Sequence, residues 1–201
     1  DLGGADHPLQ IADAAVVPVF GLLGTFIFVV LAEIPEGPGG LHVLDELGAQ
    51  QIQAELNKLQ YGNQDISDWE GRLNTNNDNR ALTGFWIESS LKISPIEQAE
   101  VMERIFGEHS LYSQDTQDAL RQVMLAQTQE KTDMRIYGKT GMGKSDGVVV
   151  DAWYTGFAEM QEGHVYFCVY LGETEEGDVS SQRAKEIAFD ILSAYQEGAE
   201  S

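Results

Sequence analysis

Cysteine is almost missing from this 201-residue chain: Cys168 stands alone, so no disulfide can close within it. Its lone presence does not distinguish a reducing from an oxidising compartment. Basic residues are also scarce, 12 against 33 acidic ones, and the resulting formal net charge of −21 repels nucleic-acid phosphates and anionic lipid alike. Binding to nucleic acid is therefore disfavoured. No Lys or Arg occurs before Lys58, and Asp1, Asp6 and Asp13 stand where a cleavable signal peptide would carry its basic leading region. The four histidines, His7, His42, His109 and His164, are scattered without metal-ligand spacing, so neither a metal site nor a cofactor site is predicted.

One long uncharged run does exist, the 19 residues from Ala14 to Ala32. Its length suits a membrane span, but Pro18, Gly21 and Gly24 interrupt it, its flanks lack positive charge, and Thr25 to Val30 favours a strand. A buried strand is the preferred reading. With 42% hydrophobic residues the chain can bury one core, so residues 1–201 are expected to form a single domain in which 1–44 are of uncertain placement.

Thr25 to Glu33, the Pro/Gly-rich Ile34 to Gly40 and Leu41 to Leu44 suggest strand, turn and strand. From Asp45 the pattern turns helical, with Ile52, Leu56 and Leu59 on one face, and it should stop before Tyr61-Gly62-Asn63. Asp65 to Thr83, rich in Asn and Asp, predicts an exposed loop. Ser94-Pro95-Ile96-Glu97 has the composition of a capping box, and Met102, Ile105 and Phe106 then face inward. A further helix is expected over about 113–127, burying Ala119, Leu120, Val123 and Met124.

The period then changes. Met134 to Tyr137, Val148 to Ala158 and His164 to Leu171 predict antiparallel strands, and Ala184, Ile187, Ala188, Ile191, Leu192 and Tyr195 predict a final amphipathic helix. Helices, then strands, then a covering helix make an α+β fold with an antiparallel sheet. Around Cys168 the run Val165 to Tyr170 is strand-like, which favours a buried structural thiol over a reactive one. The acidic segment Glu173 to Asp178 could hold a cation but reads as a solvated loop.

Gly138-Lys139-Thr140-Gly141 sets a lysine and a hydroxyl beside backbone that can approach a ligand closely, which suits an anionic, amide-like molecule. The longer string Gly138 to Ser145 also matches the phosphate-loop pattern G-x-x-x-x-G-K-S. A nucleotide-binding loop needs a helix directly after its Lys-Ser pair, whereas Asp146 to Val150 predicts turn and strand. Val148 to Asp151 follows too closely to be the second nucleotide motif, since no crossover helix fits between. P-loop nucleotide binding remains only an alternative.

Several segments in order carry a resemblance. Tyr61-Gly62-Asn63 with Asp65-Ile66-Ser67, the segment Phe85 to Ser94, and Tyr137-Gly138-Lys139-Thr140-Gly141 resemble class D β-lactamases. Trp153 to Phe157 and Tyr166-Phe167 are similar to the sheet that follows the family's Lys-Thr-Gly, and the wording Ser89-Ser90-Leu91-Lys92 is similar to β-lactam sensor domains. The match covers roughly residues 45–196 of a penicillin-recognising serine hydrolase fold, leaving an atypical N-terminal segment.

This resemblance implies a groove beside the Lys139-Thr140-Gly141 strand for a β-lactam or peptidoglycan-like molecule, and an extracytoplasmic location. Lys139 and Thr140 would meet the ligand carboxylate, Arg183 would help hold it, and Trp86 matches a tryptophan beside the family's catalytic lysine. The family also attacks the lactam with a serine in Ser-x-x-Lys upstream of Tyr-Gly-Asn. Residues 1–66 contain no serine, and Ala15 stands where a second family serine is expected. Ser89 to Lys92 is the one Ser-x-x-Lys string, in a different segment. The sequence therefore predicts a recognising domain without an identifiable catalytic residue, with an active serine β-lactamase as the alternative.

Overall fold

The computed structural model describes residues 17–18, 40–66, 91–129, 133–145, 148–172 and 179–199. Expectations for Thr25 to Glu33, for most of the Asn-rich loop and for Glu173 to Asp178 lie outside these residues. In chain order the elements are β1 (Val17–Pro18), α1 (Gly40–Leu59), β2 (Lys92–Ile93), α2 (Pro95–Phe106), α3 (Gln114–Met124), β3 (Leu125–Gln129), β4 (Met134–Ser145), β5 (Val148–Met160), β6 (Gly163–Gly172) and α4 (Ser181–Ala199).

Strands β3-β4-β5-β6 lie side by side in one antiparallel sheet, while β1 and β2 form a separate two-stranded pair through Val17↔Ile93 and Pro18↔Lys92. Alternation along the strands sends Tyr137, Trp153 and Phe157 to one face and Met134, Ile136, Tyr154 and Ala158 to the other. The first face packs against Ile52 and Leu56 of α1, Met102 and Phe106 of α2, and Leu120 of α3. The second is covered by α4 through Ala184, Ala188 and Leu192. The expected α+β architecture, a sheet with helices on both faces, is what the chain adopts. Burying a fully enclosed side chain such as Trp153, Phe157 or Leu56 stabilises by about 1.5–3 kcal/mol each.

The start of α2 follows from its four residues. Ser94 Oγ accepts the Glu97 N–H at 3.3 Å, the Glu97 carboxylate accepts the Ser94 N–H at 2.7 Å, and Pro95 occupies the first turn, where its missing N–H costs nothing. Met102, Ile105 and Phe106 are buried as expected. Tyr61-Gly62-Asn63 turns directly after α1. Asn63 exchanges bonds with Lys92, its N–H to the Lys92 carbonyl at 2.9 Å and its side-chain oxygen from the Lys92 N–H at 2.9 Å. Gly62 has φ +53° and a Cβ there would collide with the Lys92 carbonyl, so only glycine lets this turn dock on β2.

Expectations fail locally in three helices. Leu41 to Leu44 is not a strand but part of α1, because a short apolar run has no period of its own and here continues the helix that follows. The helix predicted to reach Gln127 stops at Met124, since Leu125–Gln129 is taken into the sheet against β4. Its buried side is Thr116, Gln117, Leu120 and Met124; Ala119 is exposed and Val123 is 61% exposed. On α4 the inward stripe is narrower than the apolar pattern: Ala184, Ala188 and Leu192 are buried, Ile187 is intermediate, and Ile191 and Tyr195 are exposed. A helix lying on a sheet buries only the stripe that touches it, and the apolar arc here is wider than that stripe.

Candidate functional site

Strand β4 carries the Lys139-Thr140-Gly141 segment, and its two edges differ. Along one edge β5 pairs continuously, from Arg135↔Glu159 to Gly143↔Asp151. Along the other, β3 pairs only with Met134 to Tyr137. From Gly138 onward, no described strand pairs with that edge, an arrangement suited to pairing with an extended amide.

Lys139, Gly141 and Gly143 share the sheet face of Thr155, Trp153 and Asp151 opposite them, whereas Gly138 and Thr140 share the face of Tyr154, toward α4. The Tyr154 ring lies so close over Gly138 that any Cβ at that position would clash with it, which accounts for the glycine before Lys139. The Lys139 ammonium donates to the Thr140 carbonyl at 2.7 Å, and partial burial lowers its pKa from the ordinary value of 10.5. No carboxylate pairs with it among the described residues. A half-buried cation with no counter-anion among the described residues, beside a strand edge that no described strand pairs, is suited to an anionic ligand.

Below this segment the sheet is locked by an ionic hub. Glu159 receives Arg121 Nε at 3.3 Å, Arg135 at 3.0 Å and the Tyr137 hydroxyl at 3.1 Å. Tyr137 stacks on Phe157 with centroids 4.6 Å apart, and burial followed by the Glu159 charge raises its pKa. At the other end lies Asp151, which sequence reasoning weighed only as part of a nucleotide motif. It is 3% exposed and its carboxylate accepts the Gly143 N–H at 2.8 Å, while burial pushes its pKa up to about 6. Nothing in the sequence except an acidic residue within a strand pattern signals it.

Arg183 sits in the first turn of α4, with its N–H donated to Ser180 Oγ at 3.2 Å. Its half-exposed guanidinium pairs with Glu186 at 3.6 Å on the same helix, and among the described residues no ion pair or hydrogen bond joins it to Lys139 or Thr140. Trp86, Ser89 and Ser90 lie outside the described residues, as does Ala15. Cys168 is in β6, partly buried and facing the main core, and burial pushes its thiol up to about 12, with the Thr155 hydroxyl offsetting only part of this; the group is a neutral thiol rather than a thiolate.

The phosphate-loop pattern is overturned. Gly138 to Ser145 is strand throughout, and strand begins again at Val148, so no helix follows the Lys144-Ser145 pair and no helix dipole faces a phosphate.

Residues 27–193 match the model of the penicillin binding protein transpeptidase domain. The chain is 32% identical over 155 residues to Beta-lactamase OXA-1 of Escherichia coli, covering 75% of this chain and 53% of that protein. It is 30% identical over 151 residues to the probable beta-lactamase YbxI of Bacillus subtilis (strain 168), covering 75% and 48%. Regulatory protein BlaR1 of Staphylococcus aureus is 26% identical over 150 residues, covering 75% of this chain and 23% of that one. The chain thus spans about half the length of these β-lactamases. Its fold superimposes on that of the OXA-427 class D β-lactamase with a TM-score of 0.71 at 20% identity, over 92% and 91% of the two chains. A class D β-lactamase from Bacillus subtilis gives a TM-score of 0.59 at 28% identity, over 78% and 56%.

Proposed function

The chain belongs to the penicillin binding protein transpeptidase domain family, alongside class D β-lactamases and β-lactam sensors, and from that premise we propose that it recognises β-lactams or peptidoglycan-like amides without turning them over. The observation that carries this reading is the β4 edge, unpaired by any described strand from Gly138, at the point where Lys139 is half-buried with no carboxylate partner among the described residues. An extended amide adds to that edge by backbone hydrogen bonds, and Lys139 supplies the charge for the ligand's carboxylate. Thr140 and Gly141 complete the segment. Arg183 is assigned to the same carboxylate by the family resemblance, its present partner being Glu186 through one exposed 3.6 Å ion pair that is readily exchanged.

The absence of turnover rests on chemistry. Acyl transfer needs an activated nucleophile, and loss of one removes many powers of ten in rate, which a binding lysine cannot restore. Residues 1–66 offer no serine, and Lys92, the base that a Ser89 nucleophile would require, lies on β2 with an exposed side chain rather than in an enclosed site. We place the domain outside the cytoplasm, as a single unit over 1–201, on the strength of the family resemblance.

Intact-protein mass spectrometry after incubation with benzylpenicillin, together with a nitrocefin assay and titration with a fluorescent penicillin, tests the reading. Saturable binding with unchanged protein mass, and hydrolysis no faster than in Lys139→Ala, is the expected result. A covalent adduct that disappears in Ser89→Ala would instead establish the acylating serine enzyme. No binding at millimolar penicillin would remove β-lactam recognition altogether.

A further inference from the structure

The pairing of β4 with β5 is regular up to Gly143↔Asp151 and then slips by one residue, resuming at Lys144↔Val149. This is a β-bulge with Val150 of β5 as the extra residue, beside Gly143, two positions beyond Gly141. Bulges break the ladder locally and leave a backbone group to be satisfied some other way. Here the buried Asp151 carboxylate takes the Gly143 N–H at 2.8 Å. That bond also fixes a direction. With the Gly143 N–H turned toward β5, strand alternation turns the peptide groups of Thr140 and Met142 the other way, toward the open edge.

We propose that Asp151 is a positioning residue which, by holding the Gly143 N–H at the bulge, sets the orientation of the Thr140 and Met142 peptide groups that a ligand amide pairs with. The proposal rests on the ligand-edge reading above, but its structural half is measured without ligand. Without the carboxylate, the Gly143 N–H is left buried and unpaired, and the cheapest relief is for the bulge to migrate along β4. A shift of one residue would turn the outward peptide groups inward. Asparagine retains a side-chain oxygen at the same place, so it should preserve the arrangement; alanine cannot.

The test compares Asp151→Ala, Asp151→Asn and wild type by amide hydrogen exchange, NMR and titration with a fluorescent penicillin. In Asp151→Ala the Gly143 amide should exchange about tenfold faster or more, equivalent to one lost hydrogen bond, and the Thr140 and Met142 amide resonances should move. Penicillin affinity should fall by a similar factor. Asp151→Asn should remain within about threefold of wild type in both exchange and affinity. A merely structural carboxylate would lower global stability without selective movement at Thr140 and Met142, and that result would overturn the proposal, as would equal losses in Ala and Asn. If wild type fails to bind penicillin, the ligand-edge reading falls, and the exchange and resonance data alone decide whether Asp151 orients the strand. Should Asp151→Ala not fold, Asp151→Ser, whose hydroxyl is too short to span the bond, takes its place in the same comparison.

Discussion

Replacing Lys139 with alanine should separate binding from stability, because the two depend on that side chain with opposite sign. In the folded chain its ammonium makes one charge-assisted bond, to the Thr140 carbonyl, and no carboxylate among the described residues neutralises it. Such a bond is worth about 1.5–3 kcal/mol when formed, but desolvation of the half-buried charge opposes it and, with solvent still reaching the group, cancels most of the gain. Burial lowers the Lys139 pKa, so the folded state holds this proton less tightly than the unfolded chain does. By linkage, stability then rises with pH between the lowered folded value and the unfolded value near 10.5, and the charged form opposes folding below that window. Lys139→Ala should therefore change unfolding free energy by less than about 1 kcal/mol near pH 7 and should flatten the alkaline rise. Affinity for a carboxylate-bearing penicillin should fall by roughly ten- to a hundredfold, the value of one lost charge-assisted bond. Urea denaturation at pH 7 and 10 with a fluorescent-penicillin titration measures both. A loss of more than about 2 kcal/mol with unchanged affinity would refute the reasoning and make Lys139 a packing residue.

The remaining predictions concern the frame. Gly62→Ala should destabilise by more than about 2 kcal/mol in urea denaturation, because the left-handed backbone is strained and the methyl meets the Lys92 carbonyl; a change below about 0.5 kcal/mol would mean that the turn relocates freely. Leu192→Ala should cost about 2–4 kcal/mol in the same assay, whereas Tyr195→Ser, one turn further along α4, should cost less than about 1 kcal/mol. Equal costs would show that Tyr195 is covered in solution. Cys168 should resist iodoacetamide at pH 8 in the native protein and react fully in urea, since burial pushes its thiol up to about 12 and little thiolate exists there; rapid native labelling would contradict its placement.

Much of the frame was legible because local chemistry and tertiary structure agree there. Ser94 to Glu97 starts a helix by bonds made within four residues, so the sequence alone determines it. The switch from helical to alternating period before Met134 is equally local, and it separates strand from helix through β6 and α4. The segments around Tyr61, Lys139 and Trp153 carried the family resemblance because each must satisfy tight backbone geometry, as the crowding at Gly62 and Gly138 shows.

Other features exist only after the chain has folded. A P-loop pattern and a strand can be spelled by the same eight residues, and what rules here is β5, which pairs with Gly138 to Ser145 along its whole length and leaves no helix to follow. Leu125 belongs to a sheet rather than a helix because β4 is there to receive it. Ile191 and Tyr195 continue an apolar pattern that is wider than the surface available to cover it, so their exposure is set by the sheet and not by their spacing. Most consequential for function, the sequence named Lys139 and Thr140, but only the tertiary structure decided that β3 ends before them and that Asp151 catches Gly143 beyond them. An open edge and a bulge are relations between strands, and hydrogen bonds between residues far apart in sequence are what define them.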